Sequence, residues 1–185
     1  MSTAADIISK WPDESREAAQ LVVDKYGEPQ EATPSLLVWH QPGPWKRMIA
    51  TAAFSEHHFP SPHNDSVESV IGFHVPPEKV SELAAFDGSV VVDRTQGELS
   101  ARCHDEEANN LALNLARDIV TEERSVEDAR QYYAKEFLDY RRGLSTPYMS
   151  ELRFPGNAEA ADPGKSIISD AELERAAKEG EESSG

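Results

Sequence analysis

Ser89-Val-Val-Val-Asp93, Arg94-Thr-Gln-Gly97 and Glu98-Leu-Ser-Ala-Arg-Cys103, followed by the run from Asp105 to Val120, form the stretch from which the fold is read. Successive strand side chains point to opposite faces, so Leu99, Ala101 and Cys103 share one side of the third segment and Glu98, Ser100 and Arg102 the other. The apolar side needs a cover, and the chain supplies one at once. Asp105 suits an N-cap, Glu106 and Glu107 suit the positive end of the helix dipole, and Ala108, Leu111, Ala112, Leu115, Ile119 and Val120 recur at helical spacing. A hairpin with its own helical lid is the expectation over residues 89–120.

The same two periods extend toward the N-terminus. Pro76-Pro77-Glu78 opens a short helix in which Val80, Leu83, Ala84 and Phe86 face inward. Before it, Ser69 to Val75 alternates, with Ile71, Phe73 and Val75 on one side and Val70, Gly72 and His74 on the other. Phe54 to Asp65 follows neither period and contains Pro60 and Pro62, which predicts a loop. Ser35 to His40 and Lys46 to Ala53 flank Gln41-Pro-Gly-Pro-Trp45, a hairpin with Trp39 and Trp45 near its closed end. Ahead of that, Pro12 and Asp13 start a helix whose stripe is Ala18, Ala19, Val22 and Tyr26, and Gly27 with Pro29 stops it. Residues 1–11 read as a loose lead-in.

Toward the C-terminus, Ser125-Val-Glu-Asp128 caps a further helix with Val126, Ala129, Tyr133, Phe137 and Tyr140 as its buried stripe and Gly143 at its end. With the Asp105–Val120 run it makes a helical hairpin. From Pro155 large apolar residues nearly vanish, and 8 acidic against 3 basic side chains describe a disordered tail. Within it, Ser169-Asp-Ala-Glu172 is a capping box, and Leu173, Ala176 and Ala177 continue a weak stripe, so a short helix is expected near 169–179. The whole reads as an α+β protein. A single antiparallel sheet of about five strands carries helices on one face in one domain over 1–154, with the tail at 155–185.

The 185 residues carry a formal charge of −16, which argues against nucleic acid and anionic membrane surfaces as partners. Cys103 is the only cysteine, so an internal disulfide and cysteine-rich zinc sites are excluded. Met1 to Lys10 has no basic and apolar leader pattern, and no run approaches the ~20 apolar residues of a spanning helix; the expected location is cytoplasmic.

Lys25-Tyr-Gly-Glu-Pro29, Leu37-Val-Trp-His40 with Gly43-Pro-Trp-Lys-Arg47, and Leu83-Ala-Ala-Phe-Asp-Gly-Ser89 through Ser100-Ala-Arg-Cys103 resemble a group of uncharacterised bacterial hypothetical proteins. The resemblance spans roughly residues 11–154 and implies no activity, cofactor or catalytic residue.

Two candidate sites follow from the residues. If Trp39, Phe73 and Cys103 face the helices, parity leaves His40, His74, Arg102, Ser100 and Glu98 on an open sheet face. There Arg102 suits an anion and a histidine suits proton transfer, with Trp39 and Trp45 as an aromatic platform. The other candidate is the histidine-bearing loop: His57, His58 and His63, with His74 and Asp65, are donors for zinc or iron. Cys103 beside His104 reads as a buried inert thiol, since neighbours on a strand diverge. No Gly-x-Ser-x-Gly, Walker or dinucleotide motif occurs. The favoured expectation is therefore a non-catalytic binding or accessory protein without a cofactor. It engages a protein partner through the open face or residues 167–177; the alternative is a metal-dependent hydrolase built on the loop.

Overall fold

Two rows of paired residues define the buried side of the sheet. One row runs Trp39, Met48, Ser69, Ala101, Val90 and the next Leu37, Ala50, Val67, Cys103, each residue opposite the next across a strand boundary. The hydrophobic members are all under 9% exposed. These rows belong to a computed structural model that describes residues 3–183. Its elements are α1 (Ala4–Ile8), α2 (Asp13–Tyr26), β1 (Glu31–Thr33), β2 (Leu36–His40), β3 (Arg47–His57), β4 (His63–Gly72), α3 (Val80–Phe86, led by a 3-10 turn), β5 (Val90–Asp93), β6 (Glu98–Cys103), α4 (Glu106–Val120), α5 (Val126–Arg141), α6 (Pro147–Ser150) and α7 (Asp170–Glu182). The strands make one antiparallel sheet in the order β1-β2-β3-β4-β6-β5.

The covers are α2, which contributes Ala18, Ala19 and Val22, and α4, which contributes Leu111, Leu115 and Ile119, all in one core with the inward strand residues. Burial of this surface, at ~25 cal/mol per Å² of apolar area, is the main force that sets strand phase. Several polar groups caught inside tie the helices to the sheet. Ser69, fully buried in its row, accepts from Asn109 Nδ2 of α4 at 3.0 Å, and the same amide donates to the Val67 carbonyl. Glu106 at the start of α4 accepts from Tyr26 Oη at 2.7 Å and Trp45 Nε1 at 2.8 Å, which ties the α2 end and the β2–β3 turn to the lid.

The α+β reading and the helical cover hold, and the differences have local causes. The sheet has six strands, because β1 adds a three-residue edge whose exposed side chains show no alternation. The 54–65 loop is mostly strand: β3 runs to His57 and β4 starts at His63, with a register slip between Ala50 and Ser55 and pairing resumed at Ser55–Asp65, Glu56–Asn64 and His57–His63. Backbone pairing extends the hairpin with polar side chains, some of them buried as Asp65 and Ser66 are, so no apolar alternation marks it, and both prolines fall in the residual turn 58–62. The strand expected over 69–75 is the end of β4; Phe73 leaves the ladder and packs its ring on Phe154 at 5.1 Å. The lead-in holds α1, closed by a Thr3–Asp6 capping box, too short to show a period.

On α5, Tyr140 is exposed while Glu136 is buried, because Glu136 Oε1 receives the Tyr148 and Met149 amides that open α6. On the outward sheet face, Glu98 and Ser100 are buried rather than wet; Lys46 and Arg47 close over Glu98, with contacts of 2.6–2.7 Å. The chain beyond Pro155 first docks: the Asn157 amide donates to the Gly72 carbonyl, the Asp162 amide to the Arg94 carbonyl, and Ala160 is buried. Gly97, at φ +64°, permits this approach, since a Cβ there would lie 2.3 Å from the Ala160–Ala161 backbone. α7 forms on the expected Ser169–Glu172 box and buries none of its described residues. Among the described residues no helix is long and apolar enough to cross a membrane.

Candidate functional site

Lengthening the β3–β4 hairpin places His57 and His63 opposite one another and Asp65 two residues further along β4. Imidazole Nδ1 of His57 is 3.1 Å from Asp65 Oδ2, and Nε2 of His63 is 3.0 Å from Asp65 Oδ1. At these distances a neutral dyad would align N–H with oxygen. It does not: His57 Nδ1 and Asp65 Oδ1 are both buried without a hydrogen-bond partner, although the Asp65 side chain is only 5% exposed. Buried polar atoms without partners are rare in folded proteins; Arg94 Nε, Asn109 Oδ1, Asn110 Oδ1 and Glu136 Oε2 are further cases, but only here do two such atoms lie together on side chains of metal-ligand type.

The neighbouring strand brings more donors. Val67 pairs with Cys103, and β6 ends there, so the chain turns and His104 swings back instead of diverging. Cys103 Sγ lies 3.3 Å from His63 Nε2 and 3.4 Å from His104 Nδ1. Two triads result, His57–His63–Asp65 and His63–Cys103–His104, with the ligating atoms of each within 4.8 Å of one another. His63 belongs to both.

Two of the three imidazoles, His63 and His104, are held from outside, while His57 only approaches a carboxylate. His63 Nδ1 donates to the Ser61 carbonyl at 2.8 Å, His104 Nε2 sits 2.7 Å from Asp105 Oδ2, and His57 Nε2 is 3.6 Å from Asp87 Oδ1. Anchoring one ring nitrogen on a carbonyl or carboxylate fixes the tautomer and aims the lone pair of the other inward, the arrangement that metal-ligating histidines use. Asp105 serves twice, since Oδ1 caps α4 through the Ala108 amide at 2.8 Å. Asp87 is itself fixed by Ser89, whose amide and hydroxyl both donate to Oδ1 at 2.8 Å.

Charges follow this wiring. Burial opposes protonation of His63, but Asp65, the Ser61 carbonyl and Asp87 outweigh it and the imidazolium is favoured above its ordinary range. Burial, with Asp65, Asp105 and Asp87 nearby, pushes the Cys103 thiol well up and favours the protonated sulfur. Asp105 is driven up by burial and down more strongly by His104 and the Ala108 amide, and ends below the usual carboxylate range.

One wall is aromatic and dry: Phe59 packs on Tyr133 at 5.0 Å and Phe86 at 6.2 Å, under the Arg130 guanidinium at 3.9 Å. Two clefts reach the donors. A cavity of about 380 Å³ on the outward sheet side opens on His57 and Asp65, with Ser55, Glu68, Ser89 and Arg102 around it. A second of about 310 Å³, between α2 and α5, opens on His63 and His104. A wider groove of about 820 Å³ lies beside α1 and β1, with Lys10 and Glu28 among its lining residues.

Of the five sequence candidates for metal, three converge. His58 is mostly exposed and faces Glu56, and His74 is an exposed residue belonging to neither triad. The open-face set does not assemble. Trp39 and Trp45 are core residues, their indole N–H groups donating to the Gly27 carbonyl and to Glu106. His40 of β2 pairs with Glu31 of β1 and Arg102 of β6 with Glu68 of β4; β2 and β6 lie three strand spacings apart, about 14 Å. Cys103 and His104, set aside in sequence because strand neighbours diverge, come together here because β6 ends at Cys103, while Asp105, read only as a cap, and Asp87 gain roles as neighbours of the rings. The signal for them is the pattern Cys-His-Asp at the end of a strand that pairs with His-x-Asp, visible only once register is known. No protein-family model, curated protein or solved structure matches this chain.

Proposed function

We propose that the chain is a metal-dependent protein whose centre, a single zinc or iron ion, is held by His57, His63 and Asp65. The observation that carries this is the pair of buried, unpartnered ligand atoms, His57 Nδ1 and Asp65 Oδ1, facing a third donor whose tautomer is already fixed. Donors about 2.0–2.2 Å from one ion in tetrahedral array lie about 3.3–3.6 Å apart. Separations of 3.0 and 3.1 Å at Asp65 need only a few tenths of an ångström of expansion. Two imidazoles and one carboxylate leave coordination positions open, and the cleft beside them holds hydroxyls and a guanidinium, which suits hydrolysis of a small polar substrate. A bound ion supplies Lewis acidity there; Ser55, Ser89 and Arg102 orient the substrate.

Elemental analysis of untagged full-length protein tests the centre. About one ion per chain is expected, lost in Asp65→Asn; less than about a tenth of an ion per chain in the wild type refutes it.

A second reading, engagement of a protein partner through the tail, is supported by the exposed Ile167, Ile168 and Leu173 at and before α7. An unchanged set of co-purifying proteins after removal of residues 164–185 refutes it.

A further inference from the structure

We infer that His63, Cys103 and His104 form a second, softer site, fitted to a thiophilic ion such as monovalent copper, that competes with the His57–His63–Asp65 centre for one imidazole nitrogen. Cys103 Sγ stands 3.3 and 3.4 Å from the two inner nitrogens, close to the spacing of nitrogen and sulfur donors about 2.0 and 2.3 Å from a common ion. The outer nitrogens of both rings are engaged, His63 by the Ser61 carbonyl and His104 by Asp105, so both lone pairs are directed toward the sulfur. Thiolate with imidazole is a donor set that selects soft ions, whereas the carboxylate of Asp65 on the other side of His63 favours harder ones.

Competition follows from His63 and rests on the centre proposed above. With Nδ1 committed to Ser61, only Nε2 is free, and it faces Asp65 Oδ1 at 3.0 Å and Cys103 Sγ at 3.3 Å. One lone pair serves one ion. The approaches are separate as well: the cleft between α2 and α5, where Glu14 and Glu17 outnumber Arg141, opens on His63 and His104, and the sheet-side cleft opens on His57 and Asp65. A soft ion thus enters on the helix side and empties the hard position by taking its central ligand.

The test uses the full chain, loaded with one equivalent of cobalt(II) as a spectroscopic stand-in for zinc and then titrated anaerobically with copper(I). The expected result is a thiolate-to-copper charge-transfer band that saturates at one equivalent, with release of the cobalt in step. Cys103→Ser loses band and release but keeps cobalt; Asp65→Asn keeps the band and loses cobalt. A wild-type protein that takes up copper(I) without a thiolate band overturns the soft site, and a band that grows while cobalt stays bound overturns the shared nitrogen. Failure of cobalt to bind the wild type refutes the centre proposed above, and the copper band still decides the soft site. Both deciding readings are taken on the wild type, so a variant that fails to fold removes neither.

Discussion

Asp105 joins the lid helix to the histidine cluster through two oxygens of one carboxylate, and a pair of substitutions separates the two roles. Oδ1 accepts the Ala108 amide at the N-terminus of α4, and Oδ2 holds His104. Asp105→Ala removes the cap, at about 1 kcal/mol, and the negative charge at the positive end of the helix, at about 0.5 kcal/mol. Asp105→Ser keeps a capping oxygen and loses only the charge, so it costs about 0.5 kcal/mol. His104 is partly exposed and recovers hydration in either variant, so its release adds little. The difference between the variants, about 1 kcal/mol, corresponds to about 2–4 °C in Tm for a chain of this size. Because the folded carboxyl titrates below its ordinary value, its contribution is complete above the unfolded pKa near 3.9 and is lost as pH falls through the lower folded one. Thermal melts at neutral and acid pH check this. Equal destabilisation by Ala and Ser, or a difference between wild type and Asp105→Ser that persists in strong acid, refutes the division of roles.

Glu98→Gln leaves Arg47 and Lys46 without their carboxylate and is expected to cost about 1.5–2 kcal/mol in urea melts, the lower part of the range for charge-assisted bonds because water reaches both cations. Arg47 holds the Glu98 carboxyl below its usual range, with burial opposing and Lys46 assisting, so wild-type stability falls as pH drops below 4.5 and this slope flattens in the variant. Gly97→Ala sets a methyl 2.3 Å from the Ala160–Ala161 backbone at a φ of +64°. It is expected to lower stability by more than about 1 kcal/mol and to speed limited proteolysis between 155 and 169. Cys103, buried with its thiol pushed up, is expected to resist alkylation in the ion-free folded protein and to react only on unfolding, which mass spectrometry across a urea series reports.

The strands and helices that were legible are those whose two faces meet different solvents. Glu98–Cys103 has an apolar and a polar side, α2 and α4 each have a stripe, and their caps stand in the sequence as Asp105, Ser125 and Gly27. Where an element is exposed, buries polar residues or is too short for a second turn, period carries no information. β1 has three exposed residues, the outer half of the β3–β4 hairpin buries polar ones such as Asp65, and α1 is one capped turn and a half. The buried carboxylates break the rule from the other side: Glu98, expected on the open face, and Glu136, off the apolar stripe of α5, are buried because specific donors, Arg47 and the α6 amides, offset their desolvation.

The candidate site lies in that illegible part for the same reason. Its donors are polar, so they contribute no hydrophobic period, and they gather at the end of the hairpin where strand phase is set by register and not by burial. A strand places alternate residues on one face at a spacing of about 6.6 Å. Opposite pairing then closes the distance that sequence spacing leaves open: His57 meets His63 across the ladder, and β6 delivers Cys103 beside them because Val67 pairs with it. The decisive datum is thus the slip between Ala50 and Ser55. Without that irregularity Ala50–Val67 pairing would continue as Thr51–Ser66 and Ala52–Asp65, which would put Asp65 opposite Ala52 and carry His57 away from His63. The bulge alters the register of the outer hairpin relative to the inner one, and by doing so turns a run of unpatterned histidines into a set of facing ligands.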